Sequence, residues 1–188
     1  MRVALPFILG LCVFLSACQA KQTLVMYREH EVSPDANGRM HDGRGTPISG
    51  ILQIFNPNGK LDQEISYADG VQHGPMKSYY ENGRLKAQFE YSYGLLHGLG
   101  ETYYPDGRLE MECPNLGGKK NGVWKRYYDD GTLESENPYD DDQAHGVWKQ
   151  YDENGRLARD ITFVHGQVYG VAREYDENGR VLREVHAR

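Results

Sequence analysis

His145-Gly146-Val147-Trp148-Lys149-Gln150-Tyr151-Asp152-Glu153-Asn154-Gly155-Arg156-Leu157 decides the fold, because its pattern recurs along the chain at one fixed step. Gly146 belongs to a series with Gly50, Gly74, Gly98, Gly122 and Gly170, each 24 residues from the next. Gly155 keeps the same step with Gly59, Gly83, Gly107, Gly131 and Gly179. Between the two glycines stand Phe55, Tyr79, Tyr103, Tyr127, Tyr151 and Tyr175, and two residues past the second come Leu61, Leu85, Leu109, Leu133, Leu157 and Val181. Registers that hold without insertion or deletion mark an array of small units that bury their surfaces by stacking on one another.

Each unit reads as a β-hairpin. Asn or Asp precedes the second glycine throughout (Asn58, Asn82, Asp106, Asp130, Asn154, Asn178). That dipeptide tolerates positive φ and closes hairpins, and the flanks carry aromatic and branched residues, as strands do. A two-residue turn would set the aromatic opposite Asp62, Lys86, Glu110 and their equivalents. A three-residue loop such as Glu153-Asn154-Gly155, with the glycine left-handed, sets Tyr151 opposite Leu157 and Val147 opposite Ile161. A slip of one residue turns every side chain to the other face, so the apolar match selects the three-residue loop.

In that register one face is expected to be apolar. It carries the residue after the first glycine (Ile51, Leu99, Val123, Val147, Val171), the aromatic, the leucine, Ile65, Phe89, Ile161 or Val185, and a second aromatic row of Tyr67, Tyr91, Tyr139 and Phe163. The other face is expected to be mixed, with Trp124 and Trp148 among charged residues. Short loops near Gly70, Gly94, Gly118 and Gly166 join successive hairpins. The fold class is therefore all-β: tandem 24-residue hairpin repeats forming one elongated, twisted antiparallel meander. Twelve strands make it roughly 55–60 Å long, with each unit touching mainly its neighbours. The repeats occupy residues 46–188. Residues 18–45 break the period and read as a tether and degenerate cap, with a strand from Thr23 to Val32 and a displaced copy of the turn at Asn37-Gly38-Arg39.

Residues 1–17 have the layout of a secretory signal: Arg2, an apolar run from Val3 to Leu15, then small residues. The ending Leu15-Ser16-Ala17-Cys18 resembles the bacterial lipobox, in which the cysteine thiol receives a diacylglyceryl group before cleavage. Two or more acyl chains anchor stably where one does not, so the mature chain is expected to start at lipidated, palmitate-bearing Cys18. Gln19 resembles the outer-membrane sorting pattern of Gram-negative cells, which places the chain in the cell envelope facing the periplasm or the surface. Loss of residues 1–17 removes only Arg2 from the charged set and takes the net charge from −6 to −7. A chain of net negative charge lacks the excess of cations that nucleic-acid binding rests on. Cys12 leaves with the signal and Cys18 carries lipid, so Cys113 stands alone and no internal disulfide is expected.

The repeat from His145 to Leu157, with its copies over about residues 46–186, resembles the bacterial variant of the MORN repeat, and the opening Thr46-Pro47-Ile48-Ser49-Gly50 resembles the first repeat of an antitoxin-like branch. The resemblance implies a hairpin array that binds a partner and implies no reaction.

Candidate chemistry is sparse. His73, His97 and His145 share one repeat position, but equivalent atoms in adjacent hairpins lie about 9–10 Å apart, too far to share a zinc ion. The acidic row Glu64, Glu112, Glu136, Asp160 and Glu184 recurs on an open face in like environments, whereas acid–base pairs need unlike ones. Asp152-Glu153-Asn154-Gly155 lacks the distal glutamate of a calcium loop, Phe163 standing there. Cys113 is expected to point into the apolar face as an inert thiol. No catalytic residue, metal site or cofactor is expected. The binding candidates are Trp124 and Trp148, side-chain types favoured in hot spots, with the neighbouring Lys125 and Lys149 and the surface residues Tyr80, Tyr104 and Tyr128. The reading is a non-catalytic, lipid-anchored scaffold holding a protein or an envelope polymer. An immunity or antitoxin-like inhibitor and a purely structural lipoprotein are the alternatives.

Overall fold

The computed structural model describes residues 24–187, so the signal run and Cys18 lie outside the described residues. From Leu24 the chain forms β1 (Met26–Arg28), a 3-10 turn (Glu29–Glu31), β2 (Val32–Pro34) and β3 (Met40–Asp42). The expected strand from Thr23 to Val32 is thus broken. The Arg28 N–H donates to the Glu31 carboxylate at 2.7 Å, and that local bond closes the 3-10 turn. The displaced turn at Asn37-Gly38-Arg39 is present and joins β2 to β3, with Gly38 at φ 77°.

The array follows. β4 (Gly50–Phe55) pairs with β5 (Leu61–Ala68), and β6 (Val71–Tyr79) with β7 (Leu85–Ser92). The short β8 (Leu95–Leu96) leads into β9 (Gly98–Tyr103), paired with β10 (Leu109–Leu116). β11 (Lys119–Lys120) precedes β12 (Gly122–Tyr127), paired with β13 (Leu133–Asp140). β14 (Gln143–Ala144) precedes β15 (Gly146–Tyr151), paired with β16 (Leu157–Val164). β17 (Gln167–Val168) and the last hairpin, β18 (Val171–Tyr175) with β19 (Val181–His186), complete the sheet. Successive hairpins pair antiparallel, and among the described residues only β1 is parallel, lying beside β4.

The hairpin loops have the three-residue form. Asp152 donates its N–H to Arg156 O at 2.9 Å, Gly155 donates to Asp152 O at 2.8 Å, and Gly155 has φ 74°. The links between hairpins are two-residue turns with positive φ at both positions, as at Asp69-Gly70, Tyr93-Gly94, Gly117-Gly118, Asp141-Asp142 and His165-Gly166. Their twist matches that of the strands they join.

The register holds one surprise. Tyr151 does face Leu157, but Val147 faces Thr162, and Trp148 faces Ile161. Each hairpin has a one-residue bulge just after its leucine, Ala158 being the extra residue here, and the other five shift at the same place. A bulge makes two residues oppose one, so the rows expected on a single apolar face are divided between two. The tyrosine–leucine row lies on one side, called here the tyrosine face. Ile161 and Phe163 lie with Trp148 on the other, the tryptophan face.

Both margins of the sheet are sewn. On the turn side, the hydroxyls of Tyr80, Tyr104 and Tyr128 donate to Tyr103 O, Tyr127 O and Tyr151 O at 2.6, 2.7 and 2.8 Å. On the linker side, the N–H groups of Gly70, Gly94, Gly118, Asp142 and Gly166 donate to Ile48, Gln72, Leu96, Lys120 and Ala144 carbonyls. These bonds couple each unit to the next, which a single-layer sheet needs. Among the described residues the buried apolar side chains are Ile48, Leu52, Ala87 and Cys113, of which only Ile48 is fully buried.

Candidate functional site

The two faces have different chemistry. On the tyrosine face, one position in each strand makes a charged row across the whole sheet: Gln53, Glu64, Lys77, Gln88, Glu101 and Glu112, then Lys125, Glu136, Lys149, Asp160, Arg173 and Glu184. Lys125 pairs with Glu112 at 3.4 Å and Lys149 with Glu136 at 3.8 Å. The tyrosines reach back into this row. Tyr79, Tyr127 and Tyr151 hydroxyls donate to Glu64, Glu112 and Glu136 of the preceding hairpin at 2.8, 3.2 and 3.0 Å. Burial, and then the bond to Glu64, pushes the Tyr79 phenol up to about 12, and burial with the Glu101 bond does the same for Tyr103. The Gln53 amide, followed by the Tyr79 hydroxyl, holds the Glu64 carboxyl below its usual range.

Asp160 interrupts the pattern. It is one methylene shorter than the glutamates, its Oδ1 is buried without a partner, and no bond from Tyr175 reaches it. Leaving a buried acceptor unmet costs about 1–3 kcal/mol. Asp160→Glu is therefore expected to gain the Tyr175 hydroxyl and raise stability by about 1 kcal/mol in urea titration. No gain, or the same gain when Tyr175 is also changed to Phe, would contradict that account.

On the tryptophan face the central row runs Leu52, Ile65, Met76, Phe89, Gly100, Cys113, Trp124, Asn137, Trp148, Ile161, Ala172 and Val185. Beside it a second row sets an aromatic opposite the first glycine of a repeat, as in Gly122 with Tyr139 and Gly146 with Phe163. A Cβ at Gly122 or Gly146 would stand 3.2 or 3.0 Å from the ring of Pro114 or Pro138, so the prolines occupy the space beside these glycines. Four rings touch in series. Trp124 to Tyr139, Tyr139 to Trp148 and Trp148 to Phe163 have centroids 5.9, 5.3 and 4.7 Å apart, all inclined to one another. Each indole is fixed by a bond from Nε1 to a proline carbonyl ten residues back, Pro114 at 2.9 Å and Pro138 at 3.1 Å. The Lys120 ammonium lies 4.3 Å from the Trp124 ring centroid and 4.8 Å from that of Tyr139. Trp148 and Ile161 line an open depression of about 270 Å³ with Ser135, Asn137, Gln150 and Arg159 around it. A second depression of about 260 Å³ continues from Arg159 and Ile161 towards Ala172 and Val185.

The candidate residues therefore fall into three places. Trp124 and Trp148 stand on the tryptophan face, where Asn137, Ser135, Gln150 and Arg159 lie among apolar and aromatic neighbours. Lys125 and Lys149 follow them in sequence and so point to the opposite face, where glutamates hold them. Tyr80, Tyr104 and Tyr128 stand at the turn margin with their hydroxyls used in stitching the repeats. Tyr139, Phe163 and Lys120 were not among the candidates, though each touches a tryptophan ring or a neighbour of one. The signal was a proline ten residues before each tryptophan, at Pro114 and Pro138. His97 and His145, each just before the first glycine of its repeat, use their backbone N–H groups to donate to Glu90 O and Pro138 O. Among the described residues no three His, Cys, Asp or Glu side chains are placed to hold a metal ion.

Six segments, residues 49–69, 72–93, 96–114, 120–141, 144–165 and 169–187, match the family model described as the MORN repeat variant. No curated protein matches the chain.

Proposed function

The chain belongs to the MORN repeat variant family, whose repeats commonly serve membrane and protein interaction and are generally non-catalytic, and on that premise we propose a lipid-anchored envelope scaffold that holds a protein or polymer partner. The observation that carries this reading is the strip Trp124–Tyr139–Trp148–Phe163 with the open depression beside it. Bonds from the indole Nε1 atoms hold the tryptophans in place before any partner arrives. A surface ordered in advance loses less freedom on binding. Anchoring rests on Leu15-Ser16-Ala17-Cys18 in the sequence and on the general need for more than one acyl chain. With Cys18 lipidated, the chain would present the sheet from the membrane without crossing it, in the cell envelope.

The test is crosslinking in native cells followed by capture, with Trp148→Ala and Cys18→Ser as separate arms. The expected result is a discrete partner that disappears with Trp148→Ala while the sheet's circular dichroism is kept. Cys18→Ser is expected to move the protein from the membrane fraction to the soluble one. Capture unchanged by Trp148→Ala would remove the tryptophan face from the reading, and membrane retention of Cys18→Ser would remove the anchor.

A further inference from the structure

The two ends of the sheet are finished differently. At the first, β1 takes the outward backbone groups of β4, the Ile51 N–H donating to Val25 O at 2.9 Å. At the last, every residue of β19 is exposed, Leu182 at 70%. The Ala187 N–H points inward to Gly170 O. By the alternation of an antiparallel pair, the N–H and C=O of Glu184 and His186 then point outward, with no strand among the described residues to meet them.

We propose that the β19 edge is a seat for β4 of a second copy, and that β1 is the cap that keeps copies from joining head to tail. The repeat period supplies the first reason. Gly50, Leu52, Gln53 and Phe55 hold the same places in their unit as Gly170, Ala172, Arg173 and Tyr175 in theirs, so β4 is built as the strand that follows the end of a hairpin. Inside the chain that succession keeps one register, with Glu136 opposite Lys149 and Asp160 opposite Arg173. Continued past β19, it sets Glu184 opposite Gln53 and Val185 opposite Leu52 of the second copy.

Backbone phase agrees. The Ile51 N–H points away from β5, so that of Gln53 does too, and Glu184 points outward from β19. The two residues meet as a pair that exchanges both backbone bonds. Their side chains also suit each other, as Gln53 already donates to Glu64 at 3.0 Å. Val185, 49% exposed, gains an aliphatic neighbour. Pairing of β19 with its own copy about a twofold axis fits worse. In its central registers it sets Arg183 against Arg183 or Glu184 against Glu184, and like charges directly opposite destabilise a sheet. A β19-to-β4 contact is heterologous, and one that does not close on itself builds an open filament.

β1 is a slight barrier to this. It has three residues, of which Met26 and Arg28 are exposed, and it is held by Tyr27 against Gly50 and by the Arg28 guanidinium 4.1 Å from the Phe55 ring centroid. Tyr27→Pro removes the ring and an inward N–H together. The experiment is light scattering of the full chain in detergent solution across a concentration series. The wild type is expected at the mass of one chain, and Tyr27→Pro at protein masses that rise in whole multiples with concentration. Adding Glu184→Pro, which deletes an outward N–H that the β18 pairing does not use, should return the mass to one chain. A folded Tyr27→Pro protein that stays at one chain overturns the proposal. So does wild type that assembles with β1 in place, or assembly that survives Glu184→Pro. If Tyr27→Pro loses the sheet spectrum, Arg28→Ala replaces it and is read the same way.

Discussion

Replacing Gly100 by alanine is expected to lower stability by about 2 kcal/mol, although alanine is ordinarily the better strand residue by about 0.5–1 kcal/mol. Gly100 sits in the central row of the tryptophan face between Phe89 and Cys113, and it is buried. A Cβ there would overlap Phe89 Cδ1, lie 2.7 Å from Phe89 Cε1 and stand 3.3 Å from Cys113 O. The phenyl ring therefore occupies the space that a side chain would need, and the carbonyl behind it belongs to a paired strand. Overpacking of this sort costs about 1–3 kcal/mol. A double-mutant cycle separates ring from backbone. Phe89→Leu frees the ring's volume, so Gly100→Ala should cost at least about 1 kcal/mol less in that background than in the wild type. Urea titration of the four proteins measures it. Equal costs in both backgrounds would mean that the glycine is there for its backbone and not for the ring. Gly59 supplies the contrast, because nothing lies within 4 Å of its would-be Cβ and only its φ of +75° calls for glycine.

The period, the hairpin unit and the three-residue loop were all legible in the sequence, because each depends on residues within a few positions of one another. Asn or Asp before a glycine dictates the turn locally, and the Tyr151–Leu157 pair lies next to it. What lies beyond the leucine was not legible. Period-2 reading assumes an unbroken strand, and the bulge residue differs from unit to unit: Asp62, Lys86, Glu110, Glu134, Ala158 and Leu182. With no shared residue type, nothing announced the extra position, and every assignment past it fell on the wrong face. Trp148 was separated from Ile161 and Phe163 in that way, although the three are neighbours.

The site candidates scatter for a different reason. Lys149 looked like a companion of Trp148 because the two are adjacent in sequence, whereas adjacent strand residues point to opposite faces. Its true partner, Glu136, lies thirteen positions away and is reached only through the pairing of β13 with β15. The tyrosines divided by function for a related reason. Tyr79, Tyr127 and Tyr151 serve the charged row, while Tyr80, Tyr104 and Tyr128, one residue on, serve the turn margin. At Asp152 the place of that second tyrosine is taken by an aspartate, whose Oδ1 accepts the Asn154 and Arg156 N–H groups and braces its own turn. One position thus either ties the repeat to the next or stiffens its own loop.

Cys113 is expected to react with thiol reagents about 100-fold more slowly in the folded protein than in the unfolded chain at pH 8. Cys113 is 3% exposed, and burial pushes its thiol from the ordinary value of 9.0 up to about 11. Two units of displacement reduce the reactive thiolate about 100-fold at any pH below both values. The same displacement sets a stability window. The folded state holds the proton more tightly, so this contribution is fully present below pH 9.0 and is lost as pH rises through about 11. It amounts to about 2–3 kcal/mol. Labelling should be measured with Cys12 and Cys18 changed to serine, so that one thiol reports. Native labelling within a few-fold of the unfolded rate would contradict the buried placement. Labelling that is slow and rises in low urea with the full slope of global unfolding would show that the middle of the array opens only with the whole, because that slope scales with the surface exposed. In a chain of units held by their neighbours, opening can instead begin anywhere. Cys113 lies in the third of six hairpins, so its labelling in low urea reads the free energy of opening the middle of the sheet.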